Sequence, residues 1–263
     1  MNLLEKIVED KREEINQLKE SLTLEYMKSS ASIRRAPPDF CEALRSVPMG
    51  LIAEIKRKSP SAGDIRPDLR PDLLAAQYEE GGAQAISLLV DKKYFGGQES
   101  DFVMVREAVN IPILYKEFVL DPWQIWHAAS IGASAVLLIA AALPDDTLRE
   151  LLECAEKAGL TPLVEVHTED EMARAAAAGA TCIGINNRDL TTFEVSLETT
   201  FRLSDQAPEG CMLISESGIR SAEDISRLHA AGVRGVLVGE YLVRQEDVGR
   251  AIRDLMGEIW ASS

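Results

Sequence analysis

From Gly50 to Gly239 the chain repeats one unit, a short and almost uninterrupted apolar run followed by a polar stretch. Eight runs can be read: "LIAEI" (51–55), "AISLLV" (85–90), "IPILY" (111–115), "AVLLIA" (135–140), "PLVEV" (162–166), "CIGI" (182–185), "MLIS" (212–215) and "GVLVG" (235–239). A strand that is apolar at every position has both faces covered, the condition of a parallel sheet flanked by helices. Two intervening stretches, "LPDDTLRELLECAEKAG" and "TEDEMARAAAAGA", open near Asp or Thr and close near Gly, as capped helices do. Eight such units predict the α/β class and a closed (β/α)8 TIM barrel. An open doubly wound sheet is the structural alternative, but no G-x-G-x-x-G follows the first strand.

Ahead of the barrel, "MNLLEKIVEDKREEINQLKESL" spaces Leu4, Ile7, Val8, Ile15, Leu18 and Leu22 at helical intervals. That pattern predicts one amphipathic helix with its opposite face in solvent. "SSASIRRAPPDFCEAL" then reads as a connector leading into a short helix. The expected organisation is one domain over 1–263, with 1–48 a helical extension and 49–263 the barrel. At 263 residues and 46% hydrophobic, the chain has ample material for such a core.

A formal net charge of -15 argues against a nucleic-acid or anionic-membrane partner. Cys41, Cys154, Cys182 and Cys211 are scattered without metal-ligand spacing, so neither a metal nor another cofactor is expected. Free thiols, no membrane-length apolar stretch and no signal-peptide pattern together lead to an expected cytoplasmic setting.

In a barrel of this kind the chemistry sits at the C-terminal ends of the strands. There the sequence places Glu54 and Lys56, then Lys116 and Glu117, then Glu165 with His167 beyond it. "NNRDL" follows the sixth strand, "SESG" closes the seventh and Glu240 follows the eighth. A buried ion-pair network would explain any one of these charges, but pairing does not require them all at one end. Glu54 and Lys56, two apart, share a strand face, as two residues of one barrel mouth would. In such a pocket burial and neighbouring cations are expected to lower a lysine pKa and apolar walls to raise a glutamate. His127 and His229 read as surface or packing residues, His167 as a support to the site, and the cysteines as core filling. The Gly-rich turns after strands seven and eight, ahead of helices, suit a phosphate. Together these residues imply metal-independent acid–base chemistry on a small phosphorylated anion.

"IAEIKRKSPSAG", "YEEGGAQAISLLVD", "YFGG", "ILYKEF", "GASAVLLIAAAL", "PLVEVH", "IGINNRDL", "ISESGI" and "GVLVGEYLVR" occur in this order. In them the chain resembles the indole-3-glycerol phosphate synthase family over about its whole length. The resemblance implies a carboxy-lyase of tryptophan biosynthesis. It would close the ring of 1-(2-carboxyphenylamino)-1-deoxyribulose 5-phosphate with loss of carbon dioxide and water. It also implies Lys116 as general acid toward the ribulose carbonyl, Lys56 as a second lysine for anionic groups and dehydration, and Glu165 as general base. Glu54 would orient or exchange protons with a lysine, while Asn186 and Ser217 would hold hydroxyl and phosphate ends. Gly218, Gly239 and Glu240 would cradle phosphate through main-chain N–H groups. Phe95, Phe118, Leu137, Leu190 and Leu237 would wall the anthranilate ring, and Arg188 would hold its carboxylate. Arg57-Lys58-Ser59 would begin a mobile cationic loop over the mouth, with Ser59 touching substrate.

The chain departs from the family in two places: Glu117 stands where Asp is more common, and Tyr241 replaces a small residue. A phosphoribosylanthranilate isomerase would instead need a cysteine where Lys56 stands. A catalytically silent barrel in a biosynthetic complex is the non-enzymatic alternative. Transient contact with other enzymes of tryptophan synthesis is the expected partnership beyond the small-molecule substrate.

Overall fold

The structure, a computed structural model, describes residues 2–261. Eight strands form the barrel: β1 (Gly50–Ile55), β2 (Ala85–Leu89), β3 (Ile113–Lys116), β4 (Ala135–Ile139), β5 (Thr161–Val166), β6 (Cys182–Asn186), β7 (Met212–Glu216) and β8 (Gly235–Val238). Each pairs in parallel with its sequence neighbours, and β8 pairs with β1 through Gly50↔Gly235 to Ala53↔Val238, so no edge remains. The expected architecture is therefore present, including the N-terminal helical segment.

Strand periodicity sorts the side chains. Leu51, Ala53 and Ile55 of β1 face outward into the layer shared with the helices. Ile52 faces inward with Leu114, Leu163 and Ile214, which come from alternate strands and form one layer of the barrel interior. Ala85, Ala135 and Cys182 lie toward the N-terminal end of the same interior. That end is closed by Phe40 and Leu44, both fully buried, from the short helix α3 (Phe40–Arg45) described below. Gly50 is required there, because a Cβ would sit 2.6 Å from Leu44 Cδ2. Each plug side chain contributes on the order of 2–3 kcal/mol by burial alone.

Three helices precede the barrel: α1 (Leu3–Ser21), α2 (Leu24–Ser32) and then α3. Asn2 and Glu5 form a capping box at the start of α1, and Thr23 and Asp39 cap α2 and α3. Two expectations are corrected here. Ser29 to Ser32 belong to α2, not to a connector, because α2 packs its Met27 against the helix Pro122–Ile131, reaching Ser130. The inward stripe of α1 also contains a charge: its buried residues are Ile7, Lys11 and Ile15, whereas Leu4, Val8 and Leu18 are only partly covered.

The helices read from the sequence lie at Asp145–Lys157 and Glu169–Ala178. Thr168 caps the second as expected, and Gly179 ends it at φ 89°. The first has Pro144 at its cap position, so Asp145 and Asp146 instead sit in the first turn and favour the helix dipole from there. Among the described residues no helix is long and apolar enough to cross a membrane.

Candidate active site

A cavity of about 490 Å³ opens at the C-terminal end of the barrel. Its floor is set by the next inward position on the alternate strands that carry Ile52, Leu114, Leu163 and Ile214. Two residues on from each stand Glu54, Lys116, Glu165 and Glu216. One layer of barrel packing is thus entirely charged. Glu54, Glu165 and Glu216 are at most 5% exposed, so only pairing keeps such a layer tolerable. Lys116 Nζ contacts Glu216 Oε2 and lies 3.6 Å from Glu165 Oε2. Lys56 Nζ lies 2.6 Å from Glu54 Oε1.

Glycine on the intervening strands provides the space. A Cβ at Gly184 of β6 would overlap the Glu216 carboxylate, and one at Gly239, just after β8, would overlap that of Glu54. His167, beyond β5, lies between two acids, with Nε2 3.3 Å from Glu165 Oε1 and Nδ1 3.1 Å from Glu171 Oε2. The supporting place expected for His167 agrees with this geometry. His127 is buried, stacked on Trp123 and paired with Glu99.

The protonation states run opposite to the expectation. Burial works against the Lys116 charge, but Glu216, Glu165 and Glu54 outweigh it and hold the ammonium well above the usual lysine range. Burial pushes the Glu165 carboxyl up, yet the adjacent His167 ring and the charge of Lys116 bring it down to about 2. Glu54 is likewise lowered, its burial overcome by Lys56 and Lys116. The acid that rises is Glu216, pushed by burial to about 7 despite Lys116. The reason is the number of carboxylates: the sequence reading placed two in the pocket, and there are three. Glu216 is therefore the group the sequence reasoning missed. Its signal was available, since it continues the inward phase of Met212 and Ile214.

All sixteen residues proposed from the sequence border this one cavity. Phe95 and Phe118 face each other with ring centroids 6.2 Å apart, and Leu137, Leu190 and Leu237 complete an apolar side. Asn186 and Asn187 part company by strand alternation. Asn186 borders the cavity, whereas Asn187 is buried and donates to Ser215 Oγ, Glu216 O and Ser217 O at 2.9–3.1 Å, fixing the end of β7. Leu3, Leu4 and Ile7 of α1 also reach the mouth, a contribution the sequence reading did not include.

The loop after β1 is more tied down than expected. Lys58–Ser59 pairs antiparallel with Gly63–Asp64, and the Arg57 guanidinium grips Asp101, with Nη2 3.0 Å from Oδ1. Alternation explains this: Lys56 keeps the inward phase of Glu54, so Arg57 points out of the mouth.

At the other end of the cavity, Ser217 (φ 69°) and Gly218 (φ 84°) are successive left-handed residues after β7, facing Gly239 and Glu240 after β8. A left-handed serine is uncommon, and such conformations persist where a site demands them. The helices behind these turns differ from expectation. The one after β7 starts only at Ala222 and is capped by the Ser221 side chain, and the one after β8 is the single turn Glu240–Val243. Main-chain geometry at the turns, rather than a long helix dipole, is what this end offers an anion. Arg220 and Arg244 border it as well, and neither was singled out from the sequence. Among the described residues no His, Cys, Asp and Glu side chains are grouped as metal ligands.

A family model described as indole-3-glycerol phosphate synthase matches residues 4–255. The curated indole-3-glycerol phosphate synthase of Shouchella clausii is 44% identical over 97% of this chain and 98% of its own length. That of Rhodospirillum rubrum is 42% identical over 97% and 99%, and that of Zymomonas mobilis subsp. pomaceae 41% over 97% and 98%. Among solved structures, a 3-hexulose-6-phosphate synthase superposes with a TM-score of 0.65 at 19% identity, covering 80% of this chain and all of that one. A thiamine phosphate pyrophosphorylase from Pyrococcus furiosus superposes at 0.58 and 17% identity, covering 82% and 96%. These two structures share the fold.

Proposed function

The chain belongs to the indole-3-glycerol phosphate synthase family, and we propose that its charged barrel layer closes the indole ring of 1-(2-carboxyphenylamino)-1-deoxyribulose 5-phosphate. The observation that carries this reading is the convergence of Glu54, Lys116, Glu165 and Glu216 from alternate strands, with Lys56 beside Glu54, in one cavity. That cavity has an aromatic side at Phe95 and Phe118 and is also bordered by the left-handed turn Ser217-Gly218.

The reaction needs three proton movements. A bond forms between the ring carbon bearing the carboxylate and the ketone carbon, whose oxygen takes a proton and becomes a hydroxyl. Lys116, held fully charged by its three acid neighbours, suits that transfer and balances the developing oxyanion. Carbon dioxide then leaves, and the electrons of its bond restore the aromatic ring. Finally the hydroxyl departs as water with an added proton, while the methylene beside nitrogen loses one. Glu165, ionised at neutral pH, is the base we assign to the methylene proton. Lys56, oriented by Glu54, is assigned to the substrate's carboxylate and then to the departing hydroxyl. Asn186, which borders the same cavity, is assigned to favour the ionised form of Glu165. Arg188 and Ser59 border the ring and loop sides of the cavity, and Gly218, Gly239 and Glu240 offer main-chain N–H groups to the phosphate.

A cytoplasmic setting and transient contact with other enzymes of tryptophan synthesis belong to the same reading. The four free thiols are compatible with a reducing compartment. The test is direct: purified protein is mixed with the synthetic anilino-ribulose phosphate, and indole fluorescence is followed. A folded protein that yields no indole-3-glycerol phosphate refutes the proposal.

A further inference from the structure

The buried charge in the α1 seam leads into the site. Lys11 is 3% exposed, and its ammonium lies 3.0 Å from Asp91 Oδ2, 3.0 Å from Glu117 Oε2 and 2.7 Å from Glu14 Oε2. Asp91 and Glu117 are buried too, on the separate loops that follow β2 and β3. Each gives its second oxygen to main chain. Asp91 Oδ1 accepts from Tyr94 N at 2.6 Å and Phe95 N at 3.3 Å, and Glu117 Oε1 accepts from Phe118 N at 2.7 Å. Phe95 and Phe118 together form one aromatic side of the cavity.

We propose that Lys11 is a positioning residue for the aromatic end of the site. Through two carboxylates it fixes the main chain of Phe95 and Phe118, and with it the place of the aromatic surface that receives the substrate's benzoate ring. The inference rests on the ring-closing reading above. Helix α1 holds the β2 loop a second time through Asp10, which lies 2.6 Å from Lys93 Nζ and accepts from the Tyr94 hydroxyl. Without Lys11, Asp91 and Glu117 face each other with no cation between them. Two buried carboxylates so placed must take up a proton or swing apart, and Phe95 and Phe118 move with them. Glu117 gives this contact its reach, since an Asp there would be one methylene shorter.

The experiment compares the full-length wild type with Lys11→Met and Lys11→Arg. It reads KM and kcat for the anilino-ribulose phosphate, and direct binding of anthranilate and of inorganic phosphate by titration. Lys11→Met is expected to weaken KM and anthranilate binding together, roughly ten- to a hundredfold, the scale of a small misplacement. Phosphate binding is expected to stay as in wild type, and Lys11→Arg to restore ring binding. A general loosening of the protein would weaken phosphate as well. Unchanged anthranilate binding in Lys11→Met, or parallel loss of phosphate binding, overturns the proposal. Should Lys11→Met fail to fold, Glu117→Gln makes the same comparison: it keeps an oxygen for Phe118 N and loses the charge facing Lys11. A smaller but selective loss of anthranilate binding is expected there, and none overturns the proposal. A wild type that binds anthranilate yet makes no indole product refutes the ring-closing reading and leaves the binding comparison intact.

Discussion

Replacing Lys116 by methionine keeps the length of the side chain and removes the central cation of the charged layer. Lys116 is the proposed general acid, so its loss is expected to lower kcat by roughly 10² to 10⁴, the usual scale for such a group. The same substitution makes a second, independent prediction through Glu165. At the observed 3.6 Å separation, the attraction between the two charges is about 5 kcal/mol at an effective dielectric constant of about 20. That is a factor of roughly 10³ in proton affinity, so Glu165, now at about 2, rises toward about 5 in the variant. A base must be ionised to act, and the acid limb of the pH–rate profile therefore moves up from below pH 3 to near pH 5. The assay is steady-state fluorescence of the indole product across pH 4 to 8, with circular dichroism to establish that the variant is folded. His167 remains beside Glu165 and limits the rise, which makes about 5 an upper bound. A folded Lys116→Met protein with kcat within tenfold of wild type refutes the assigned role. An unmoved acid limb refutes the electrostatic coupling.

Glu165→Gln is expected to cost roughly 10² to 10⁴ in kcat, with little change in KM, and a loss confined to KM contradicts its role as base. Gly184→Ala places a methyl where the Glu216 carboxylate now lies. It should separate Glu216 from Lys116 and lower both kcat and the melting temperature, since overpacking a buried layer costs about 1–3 kcal/mol, and full activity would show that the pairing is dispensable. Stability should fall as pH rises from 5 to 10. Glu216 and Glu117, each raised by burial to about 7, add stability that is complete below the ordinary 4.5 and lost as pH passes 7. His167, whose burial is outweighed by Glu165 and Glu171 so that it reaches about 10, adds stability that is complete below 6.5 and gone above 10. Glu165 acts in the opposite sense, but only below 4.5. Thermal melts should show Glu216→Gln flattening the lower part of this decline and His167→Gln the upper, and a melting temperature rising across the range would contradict both.

The barrel was legible because strands covered on both faces cannot alternate: "AISLLV" and "AVLLIA" declare a parallel sheet without help from their neighbours. Glu54, Lys116 and Glu165 were legible for the complementary reason, since a charge at the end of such a run has no solvent to reach except at a mouth. Glu216 has the same signature but lies among serines in "SESG", where a polar turn is the ordinary reading. Lys11 was hidden more deeply. A lysine in a charged helix normally faces water, and only the position of Asp91 and Glu117 on two distant loops turns that face inward. Protonation states were out of reach because they depend on how closely each carboxylate approaches one lysine, a distance that needs coordinates.

Charge balance ties these observations together. Glu54, Glu165 and Glu216 bring three negative charges when ionised, Lys56 and Lys116 face them with two positive ones, and His167 lies between Glu165 and a fourth acid, Glu171. Charges so closely matched let these groups tolerate a barrel interior without the large cost of an unpaired charge. A substrate carboxylate entering beside Lys56 would upset that balance by one. Glu216 is the member whose protonation changes near neutrality, so it can absorb the difference by taking a proton while Lys116 and Glu165 keep their states. On this argument the raised pKa of Glu216 and the lowered pKa of Glu165 are two consequences of one packing decision, the placement of three carboxylates around a single central lysine.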